Sequence, residues 1–366
     1  MLALLGYLIG DLGEEPAAVA DSRDALQRSL SQSLERALIG HTHTIAGALL
    51  RNGDDSYLAI PAIDVSCSWG MKVVLIVNRH ATRVNDRHVE GVKRELAKVA
   101  SISTLETQYP RHGIELARQA SESADAIVVF AGDGGYNEAL NGLSSDISIG
   151  FVPGGGTSVL PRALGLPRDP VAAAAQIADA ITQNRTRCIS LGAVNGYRFA
   201  FEAGVGIDAE VVRRVDRLGR DEHGRRPGDY AFARAIISVV RERRGSFEPV
   251  LEIRGFGRAA LAIIANGDPS TFAGLMPVRF APRARFELGL DLVAPVQIQR
   301  RSLFRIGADL FTGRMHRSRN VLYGHDLDRI EIVCERPLPL HADGEDLGDV
   351  SSAVFECQRS AVSVLV

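Results

Sequence analysis

Lysine is almost absent from this sequence. Only three of its 42 basic residues are lysines, namely Lys72, Lys93 and Lys98, so after residue 98 any cationic contact to an anion must come from arginine. The formal net charge of −2 gives no global reason to expect a nucleic-acid-binding protein. The four cysteines lie far apart without C-x-x-C spacing, which argues against a zinc site and a disulfide framework. A reducing cytoplasm is therefore the expected compartment.

Long apolar runs are also missing. No stretch approaches the roughly 18 apolar residues of a membrane-spanning helix. The opening MLALLGYLIGDLG lacks the positive start and the cleavage site of a signal peptide. We therefore expect any membrane association to be peripheral. What remains, 46% hydrophobic and 23% charged residues in a chain of 366, is typical of a globular protein with about two domains.

The first 70 residues differ from the rest. Residues 21–40 have the apolar spacing of an amphipathic helix, whereas residues 48–70 show no clear period. A strand of the buried type then begins abruptly at Met71. Two interpretations stay open. Residues 1–70 are a native helical extension, or Met71 is a true or alternative start and residues 1–70 are an appendage or an upstream-start artefact, poorly ordered in the protein.

Strands alternate with helices from residue 71 onward. Alternation of this kind predicts a parallel sheet with crossover helices, and such sheets bind ligands at the carboxyl ends of their strands. The four loops that follow strands should therefore share one rim; they are residues 79–83, 107–112, 131–136 and 153–158.

From about residue 188 the pattern changes to short alternating strands separated by Gly, Pro and Asn, with one helix at about 229–243. This pattern predicts an antiparallel all-β sandwich or barrel. We therefore predict an α/β domain at 71–187 and a β-sandwich domain at 188–366, whose last segment, 360–366, could return to the first domain as a further strand. The cleft between two such domains is where a small ligand is expected.

The segment AGDGGYNEALNG, residues 131–142, follows the strand AIVVF and leads into a helix. Gly132, Gly134 and Gly135 let the backbone approach a ligand closely. Successive backbone N–H groups and the positive end of the helix attract phosphate oxygens. The segment has neither the G-x-G-x-x-G spacing of a dinucleotide fold nor the lysine of a P-loop, which removes the two commonest phosphate-binding interpretations.

The polar residues of this segment suggest distinct roles. Asp133 would repel phosphate directly, so it makes sense if Mg²⁺ lies between them or if it takes a proton from an attacking hydroxyl. Tyr136 and Asn137 are expected to be helix caps or contacts to the edge of a nucleotide. Glu138 lies on the first helical turn, where a carboxylate favours the helix N-terminus, and we interpret it as a cap.

The same segment resembles the GGDGTxNEVxNGL motif of the diacylglycerol kinase catalytic domain, in the superfamily of lipid and sphingosine kinases. Four further segments agree with that family in order and spacing over about 71–366. NAD kinases and phosphofructokinases share only the glycine loop, and the trailing N-E-x-x-N-G and RALGLP point away from them. The four segments are KVVLIVN ending in Asn78, TQYPRHGIELARQA (107–120), FVPGGGTSVLPRALGLP (151–167) and HADGED (341–346).

The resemblance implies an ATP-dependent lipid kinase that transfers the γ-phosphoryl group of Mg-ATP to a lipid hydroxyl, diacylglycerol-like or sphingoid. It implies a Rossmann-like or phosphofructokinase-like ATP-binding α/β domain followed by a β-sandwich substrate domain. Glu345 would be the general base with Asp343 beside it, although D-G alone also indicates a solvated turn. The implied catalytic residues are Glu345, Asp343 and Asp133, with Asp133 also a metal ligand. The implied nucleotide contacts are Asn78, Thr107, Gly132, Asp133, Gly134, Gly135, Tyr136, Asn137, Gly156 and Thr157.

The sequence departs from the family pattern in four places. Gly135 replaces the threonine of the glycine motif, and Ala131 replaces its first glycine. NRHAT replaces N-P-x-S/A-G after the first strand, so Arg79 or Arg83 either meets phosphate or lies in a solvated loop. In RFELGLDL, Leu288 stands where the family often has an aspartate that helps hold a structural Mg²⁺. We therefore expect that metal site not to be intact.

The family's acceptors imply a lipid alcohol as partner, met by transient contact with a membrane surface. Two arginine-rich stretches, 213–244 and 300–319, either face anionic headgroups, where each arginine contributes about 1 kcal/mol, or are solvated helix faces. No nucleic acid is expected, and a homodimer is an open alternative. Two other functions also stay open. One is a catalytically impaired regulator that binds nucleotide or lipid, motivated by Gly135 and Leu288, and the other is a soluble enzyme of the NAD kinase type.

Overall fold

The computed structural model describes residues 71–366, except 145–146, 220–228 and 274–275, together with four short strands before residue 71. Contacts divide the chain into two units, Met1–Trp69 and Gly70–Val366. In the first unit the strands pair antiparallel, β1 with β4 and β2 with β3. The helix predicted at 21–40 lies outside the described residues. The four strands are β1 (Thr44–Ile45), β2 (Leu49–Arg51), β3 (Tyr57–Ala59) and β4 (Ile63–Asp64).

The predicted α/β fold is confirmed in the first half of the second unit. Four parallel strands lie in the order β8-β7-β5-β6, with helices between them in sequence. All six residues of β7 are buried, as expected of a central strand with helices on both faces. The strands are β5 (Lys72–Val77), β6 (Ser101–Glu106), β7 (Ala126–Ala131) and β8 (Ser148–Pro153), and the helices are α1 (Asp86–Leu96), α2 (His112–Ser121), α3 (Asp133–Gly142), α4 (Val159–Ala163) and α5 (Pro170–Thr182).

The second half is rich in antiparallel strands, as predicted, and besides the helix predicted at about 229–243 it holds α6 and α8, of which α8 lies in the arginine-rich stretch 300–319. Its strands are β9 (Thr186–Val194), β10 (Tyr197–Phe199), β11 (Glu202–Val205), β12 (Leu251–Ile253), β13 (Gly257–Ala259), β14 (Ala262–Ala265), β15 (Thr271–Ala273), β16 (Met276–Val278), β17 (Leu290–Pro295), β18 (Val321–Leu327), β19 (Arg329–Ala342) and β20 (Glu345–Leu365). Its helices are α6 (Ile207–Asp216), α7 (Asp229–Glu242) and α8 (Leu303–Thr312), with 3₁₀ turns at Arg300–Ser302 and Met315–Arg317.

The last strand, β20, belongs to both halves. It is 21 residues long, and Glu345 at its start pairs antiparallel with Ala342 of β19. Near its end, Ser363 and Val364 pair parallel with β8. One strand therefore joins both halves into a single 14-stranded sheet, and it fixes the acidic turn at 341–346 relative to the parallel strands.

Apolar side chains form separate cores on the two faces of the parallel sheet. Ile127 and Val129 of β7 point into one core, and Val128 and Phe130 point into the other, which is the two-residue alternation of a strand. A third core fills the β-rich half, and a fourth packs α6, α7 and α8 against β14. Among the residues that the structure describes, no helix is long and apolar enough to cross a membrane.

Candidate active site

The ends of the four parallel strands gather polar residues on one rim. Asn78 follows β5, and its backbone N–H donates to the Phe130 carbonyl of β7 at 3.0 Å. Thr107 follows β6, and its N–H donates to the Val77 carbonyl at 3.0 Å. Because each residue is tied to a neighbouring strand, the loops start from fixed positions. Thr157 lies in the loop after β8, at the same edge, and is partly exposed.

Two glycine-rich loops touch each other at the centre of this rim. Gly132 is the cap residue that precedes α3, with φ −98° and ψ −178°, and no side chain caps this helix. A Cβ atom on Gly155 would lie 2.9 Å from the Cα of Gly132, and one on Gly154 would lie 2.7 Å from the Ala131 carbonyl oxygen. Only glycine fits these two positions without a shift of backbone. The loops therefore present backbone N–H groups at a helix N-terminus, which is the environment that phosphate oxygens prefer.

Asp133 connects the two loops. Its Oδ1 accepts hydrogen bonds from the backbone N–H groups of Val159 at 2.7 Å and Leu160 at 3.3 Å, at the start of α4. Burial raises the pKa of this carboxyl to about 6, and the charge of Asp343 adds to the increase. One carboxylate oxygen thus holds the loop that carries Thr157, while Oδ2 lies outside these bonds.

The exchange of Gly135 and Ala131 for the family's threonine and glycine has a steric explanation. A Cβ atom on Gly135 would lie 2.6 Å from the Cβ of Ala131, and the next nearest atom is Nδ2 of Asn78 at 3.8 Å. The methyl group of Ala131 therefore occupies the space that a side chain at 135 would need. The two departures from the family motif therefore fit each other, because the absence of a side chain at Gly135 leaves space for the methyl group of Ala131.

Asp343 is held by four hydrogen-bond donors. Its Oδ2 accepts from Asn137 Nδ2 at 2.9 Å and from the Ala200 N–H at 2.7 Å. Its Oδ1 accepts from the N–H groups of Phe201 at 2.9 Å and Glu202 at 3.2 Å. Burial raises the pKa of Asp343, and these hydrogen bonds act in the opposite direction. The carboxylate is thereby committed to fixing the acidic turn against the β10–β11 connection and helix α3.

Glu345, in contrast, approaches the glycine loop. A Cβ atom placed on Gly134 would lie 3.4 Å from Glu345 Oε1, so this carboxylate faces the first turn of α3. Gly344, between the two acidic residues, has a φ of 78°, which favours glycine, and Asp343 itself has a φ of 46°. This tight turn directs the carboxyl group of Asp343 toward the β10–β11 connection and that of Glu345 toward Gly134. The structure thus brings together the two motifs that the sequence separates by some two hundred residues, with Glu345 and Gly134 at the point of approach.

Two residues predicted to contact a nucleotide have their side chains inside the protein. Tyr136 is 1% exposed, and its hydroxyl donates to the Val152 carbonyl at 2.8 Å. Asn137 is 2% exposed, and its Nδ2 donates to Asp343 while its Oδ1 accepts from the Tyr197 hydroxyl at 2.6 Å. Their polar side-chain atoms are satisfied by protein partners. The side chains of Tyr136 and Asn137 thus bind protein groups, and a nucleotide contact at these two positions stays a prediction.

Glu138 is a cap, but of a different helix from the one expected. Its two carboxylate oxygens accept from the backbone N–H groups of Arg111 and Gly113, each at 3.0 Å. These N–H groups begin α2, which packs beside α3. Glu138 therefore stabilises the N-terminus of the neighbouring helix and fixes the loop that follows β6.

The two arginines after β5 are bound within the protein. Arg79 forms ion pairs with Asp86 at 2.6 Å and Glu106 at 2.8 Å. Arg83 Nη1 donates to the Arg168 carbonyl at 2.9 Å. These contacts hold the loop against its neighbours, and both guanidinium groups already have partners within the protein.

Sequence reasoning missed Tyr197. Its hydroxyl donates to Asn137, and burial raises its pKa, with the negative charges of Glu345 and Asp343 adding to the increase. Asn137, which also donates to Asp343, therefore links the phenol to the acidic turn. The only sequence signal was the preceding N-G dipeptide, which places Tyr197 at the start of a strand after a tight turn.

Near the segment where the family often has a structural metal site, Asp291 is held by protein donors. Asp291 is 0% exposed. The Tyr323 hydroxyl donates to its Oδ2 at 2.5 Å, while His325 Nδ1 lies 2.7 Å from Oδ1 and the Asp326 N–H donates to Oδ1 at 3.2 Å. No group of three or more metal-ligating side chains with suitable geometry occurs among the described residues. Asp291 is thus held by protein donors, and the loss of the family's Mg²⁺ site at Leu288 stays a prediction.

Two family models together match most of the residues after Met71. The model of the diacylglycerol kinase catalytic domain matches residues 72–194, and that of the YegS C-terminal NAD kinase beta sandwich-like domain matches residues 202–366. A diacylglycerol kinase of Bacillus subtilis (strain 168) is 39% identical over 94 residues, which are 25% of this chain and 30% of that protein. A diacylglycerol kinase of Mycobacterium tuberculosis (strain CDC 1551 / Oshkosh) is 30% identical over 206 residues, which are 54% of this chain and 63% of that protein. The match thus spans less than two thirds of either relative.

Solved structures share the fold. A crystal structure of a diacylglycerol kinase from Bacillus anthracis str. Sterne superimposes with a TM-score of 0.58 over 81% of this chain and 97% of that chain, at 20% sequence identity. At this identity the similarity shows the arrangement of strands and helices alone.

Proposed function

Because the chain belongs to the diacylglycerol kinase catalytic domain family, we propose that it is an ATP-dependent kinase that phosphorylates a lipid hydroxyl. The observation that carries the proposal is the approach of Glu345 to Gly134, where a carboxylate of one half faces a helix N-terminus of the other. A phosphoryl donor and a hydroxyl acceptor could meet between these two groups.

The side of the site that would bind ATP, the phosphoryl donor, consists mainly of backbone N–H groups. The triphosphate of ATP would lie over residues 132–137, where the first turn of α3 has N–H groups without intrahelical partners. Thr107 and Thr157, which are partly exposed on the same rim, would add hydroxyl contacts. Binding by backbone amides explains how this site can do without the lysine of a P-loop.

The acceptor side contains the proposed base. Glu345 would take the proton of the lipid hydroxyl while the hydroxyl oxygen forms a bond to the γ-phosphorus of ATP. The bond from that phosphorus to the β–γ bridging oxygen would break, and ADP would leave. Asp343 serves as a positioning residue, since its two oxygens already accept four hydrogen bonds. Positioning and charge neutralisation supply most of the catalysis in phosphoryl transfer, so a rigid turn is useful here.

The site fits a magnesium ion carried in with the nucleotide. Asp133 Oδ2 lies outside the hydrogen bonds that hold Oδ1, and it would serve as an oxygen ligand. Bound Mg²⁺ would neutralise charge on the phosphate oxygens. One carboxylate would suffice, since Mg²⁺ commonly takes one or two carboxylates and completes its shell with phosphate and water.

The proposed acceptor is a diacylglycerol-like lipid, because the B. subtilis and M. tuberculosis relatives are named diacylglycerol kinases. A sphingoid base has the same reacting group, a hydroxyl beside a long apolar chain. Nothing in the arrangement of Glu345 and Gly134 distinguishes the two acceptors, so the assay must include both.

Labelled ATP tests the proposal directly. Purified protein is incubated with γ-labelled ATP and Mg²⁺, and with diacylglycerol, a sphingoid base or NAD, the lipids being presented in detergent micelles. We expect label in a lipid product, and only when Mg²⁺ is present. ATP binding without any labelled lipid would support the regulator instead, and labelling of NAD alone would support an enzyme of the NAD kinase type.

A further inference from the structure

Most of the strongly exposed large apolar side chains in the described part of the chain lie on one helical arm, which we define as α6, the turn at 217–219 and α7. Tyr230 is 77% exposed, Leu218 66%, Ile237 58% and Ile236 50%. Elsewhere among the described residues only Tyr109 and Val333 belong to this class, and they lie on other elements. Single exposed apolar residues need no explanation, but a group on one arm indicates a contact surface.

Helix α7 has two different faces. Ala235 and Val239 point inward and pack with α6 and α8 in one apolar core. The outward residues recur at helical spacing and combine apolar and cationic side chains. None of the three arginines among them forms an ion pair with a described residue. The outward set is Tyr230, Arg234, Ile236, Ile237 and Arg241, with Arg244 just after the helix.

We propose that this outer face, together with Leu218, docks on an anionic lipid bilayer. Apolar side chains would enter the boundary between headgroups and acyl chains, and the guanidinium groups of Arg234, Arg241 and Arg244 would contact lipid phosphates. The inference rests on the proposed function, because the lipid acceptor of that reaction resides in a bilayer. The charge complementarity of the face selects an anionic surface.

The arm is connected to the acidic turn at both of the turn's ends. Arg213 of α6 forms ion pairs with Asp346 at 2.8 Å and with Asp349 at 2.6 Å, just after Glu345. Before the turn, His341 Nε2 lies 2.6 Å from the carboxylate of Asp208, also on α6. A bilayer bound by the arm would therefore lie close to the proposed base.

Besides the apolar core, ion pairs and hydrogen bonds of Arg214 link α7 to α6. Arg214 of α6 donates to Glu210 on its own helix and to Glu242 at the end of α7, both at 2.6 Å. Its Nη1 also donates to Ser238 of α7 at 2.9 Å. The docking face therefore lies on the helix that is bonded to α6. Because α6 is in turn bonded to the acidic turn, docking would orient that turn toward the membrane.

Vesicle co-sedimentation tests the docking face. The full chain is mixed with vesicles of phosphatidylcholine, with or without phosphatidylglycerol. We expect binding that requires phosphatidylglycerol. The double variant Ile236→Ser/Ile237→Ser should lower the partition coefficient by about tenfold or more, because two apolar side chains no longer enter the bilayer. The triple variant Arg234→Gln/Arg241→Gln/Arg244→Gln should lower it by about fivefold per arginine and weaken the requirement for phosphatidylglycerol.

Matched controls make the same chemical changes elsewhere. Val333→Ser removes an exposed apolar side chain from a strand. The triple variant Arg87→Gln/Arg94→Gln/Arg118→Gln removes three exposed charges from α1 and α2, and so produces the same net charge as the arm variant. Both controls should bind vesicles like the wild type. Equal losses in the controls and the arm variants would overturn the proposal, because binding would then follow overall charge or stability rather than this face.

Three further outcomes separate this inference from the proposed function. If lipid in micelles is phosphorylated but the wild-type protein does not bind vesicles, docking is refuted and the kinase proposal stands. If the arm variants lose vesicle binding while no lipid is phosphorylated under any condition, docking is supported and the kinase proposal fails. If sedimentation analysis shows a dimer that Ile236→Ser/Ile237→Ser dissociates, the face binds a second copy of the chain, and the bilayer proposal is overturned.

Discussion

The two sides of the candidate site are built by different means. On the donor side, Gly132 and Gly155 let two loops touch without side chains between them, so the geometry depends on empty space. On the acceptor side, Asp343 gathers four donors, so the geometry depends on hydrogen bonds. Substitutions in the loops should therefore act through volume, whereas substitutions in the acidic turn should act through charge and hydrogen bonding.

The largest effect is expected at Glu345. Replacement of Glu345 by Gln keeps the size of the side chain but removes the proposed base, so kcat should fall by about 10²–10⁴-fold. The dissociation constant of ATP should change little, because the phosphates are proposed to bind backbone groups on the other side. Steady-state kinetics with lipid micelles, and calorimetric titration with nucleotide, measure the two quantities. A wild-type kcat would exclude Glu345 as the base.

Substitution of Asp343 should lower the free energy of unfolding rather than remove the group that takes the proton. The change Asp343→Ala leaves four donors without their acceptor, and we expect the free energy of unfolding to fall by about 3 kcal/mol. Asp343→Asn should cost less, because the amide oxygen still accepts hydrogen bonds. Urea unfolding of both variants checks this order. Wild-type stability of Asp343→Ala would show that the four hydrogen bonds do not hold the turn.

The ionised carboxyl of Asp133 should lower the stability of the fold while it supports the proposed kinase activity. The native carboxyl stays protonated up to about pH 6, whereas in the unfolded chain it ionises near its usual pKa of about 3.9. The native state therefore binds the extra proton in this window, and the wild type loses stability as pH rises through it. Asp133→Asn removes this loss and can still accept from Val159 and Leu160.

We expect the Asp133→Asn variant to gain up to about 3 kcal/mol over the wild type above pH 7, and to show no gain below pH 4. Its kinase activity should nevertheless fall, since it loses the proposed metal ligand. Urea unfolding across pH 4–8 measures the first effect, and kcat measured at several Mg²⁺ concentrations measures the second. A stability difference that does not change with pH would contradict the burial of this charge.

The smallest effect is expected at the exchanged pair. Gly135→Thr alone should cost about 1–3 kcal/mol of stability, because its Cβ would overlap Ala131. Ala131→Gly alone should cost about 0.5–1 kcal/mol through backbone entropy. The double variant should recover most of the loss at 135, so a double-mutant cycle should give a favourable coupling energy. Additive losses would mean that the two positions do not compete for the same space.

Much of the rim could be predicted from the sequence because its signals are local. The alternation of strands and helices placed Asn78, Thr107, Gly132 and Thr157 at strand ends, and the structure has all four at the carboxyl edge of the parallel sheet. The predicted β-rich second half is also present. In both cases the pattern lies within short stretches, where burial on one or two faces dictates the spacing of apolar residues.

What could not be predicted depends on partners distant in sequence. Asn137 and Asp343 are 206 residues apart, and nothing in either motif shows that their side chains bind each other. Glu138 caps a helix whose first N–H groups lie 25 and 27 residues earlier. Helix α6 was missed for a different reason: its buried residues Ala209, Val211, Val212 and Val215 follow a strand-like stretch and fill little more than two turns.

We propose that the glycine loops and the acidic turn form one phosphoryl-transfer site. A crystal structure with Mg²⁺ and a non-hydrolysable ATP analogue tests it most directly. We predict that the phosphates lie along residues 132–137, with the terminal phosphate beside the N–H of Gly134 and facing the carboxylate of Glu345. Phosphates bound away from this rim, or a terminal phosphate on the far side of the loops from Glu345, would contradict the account.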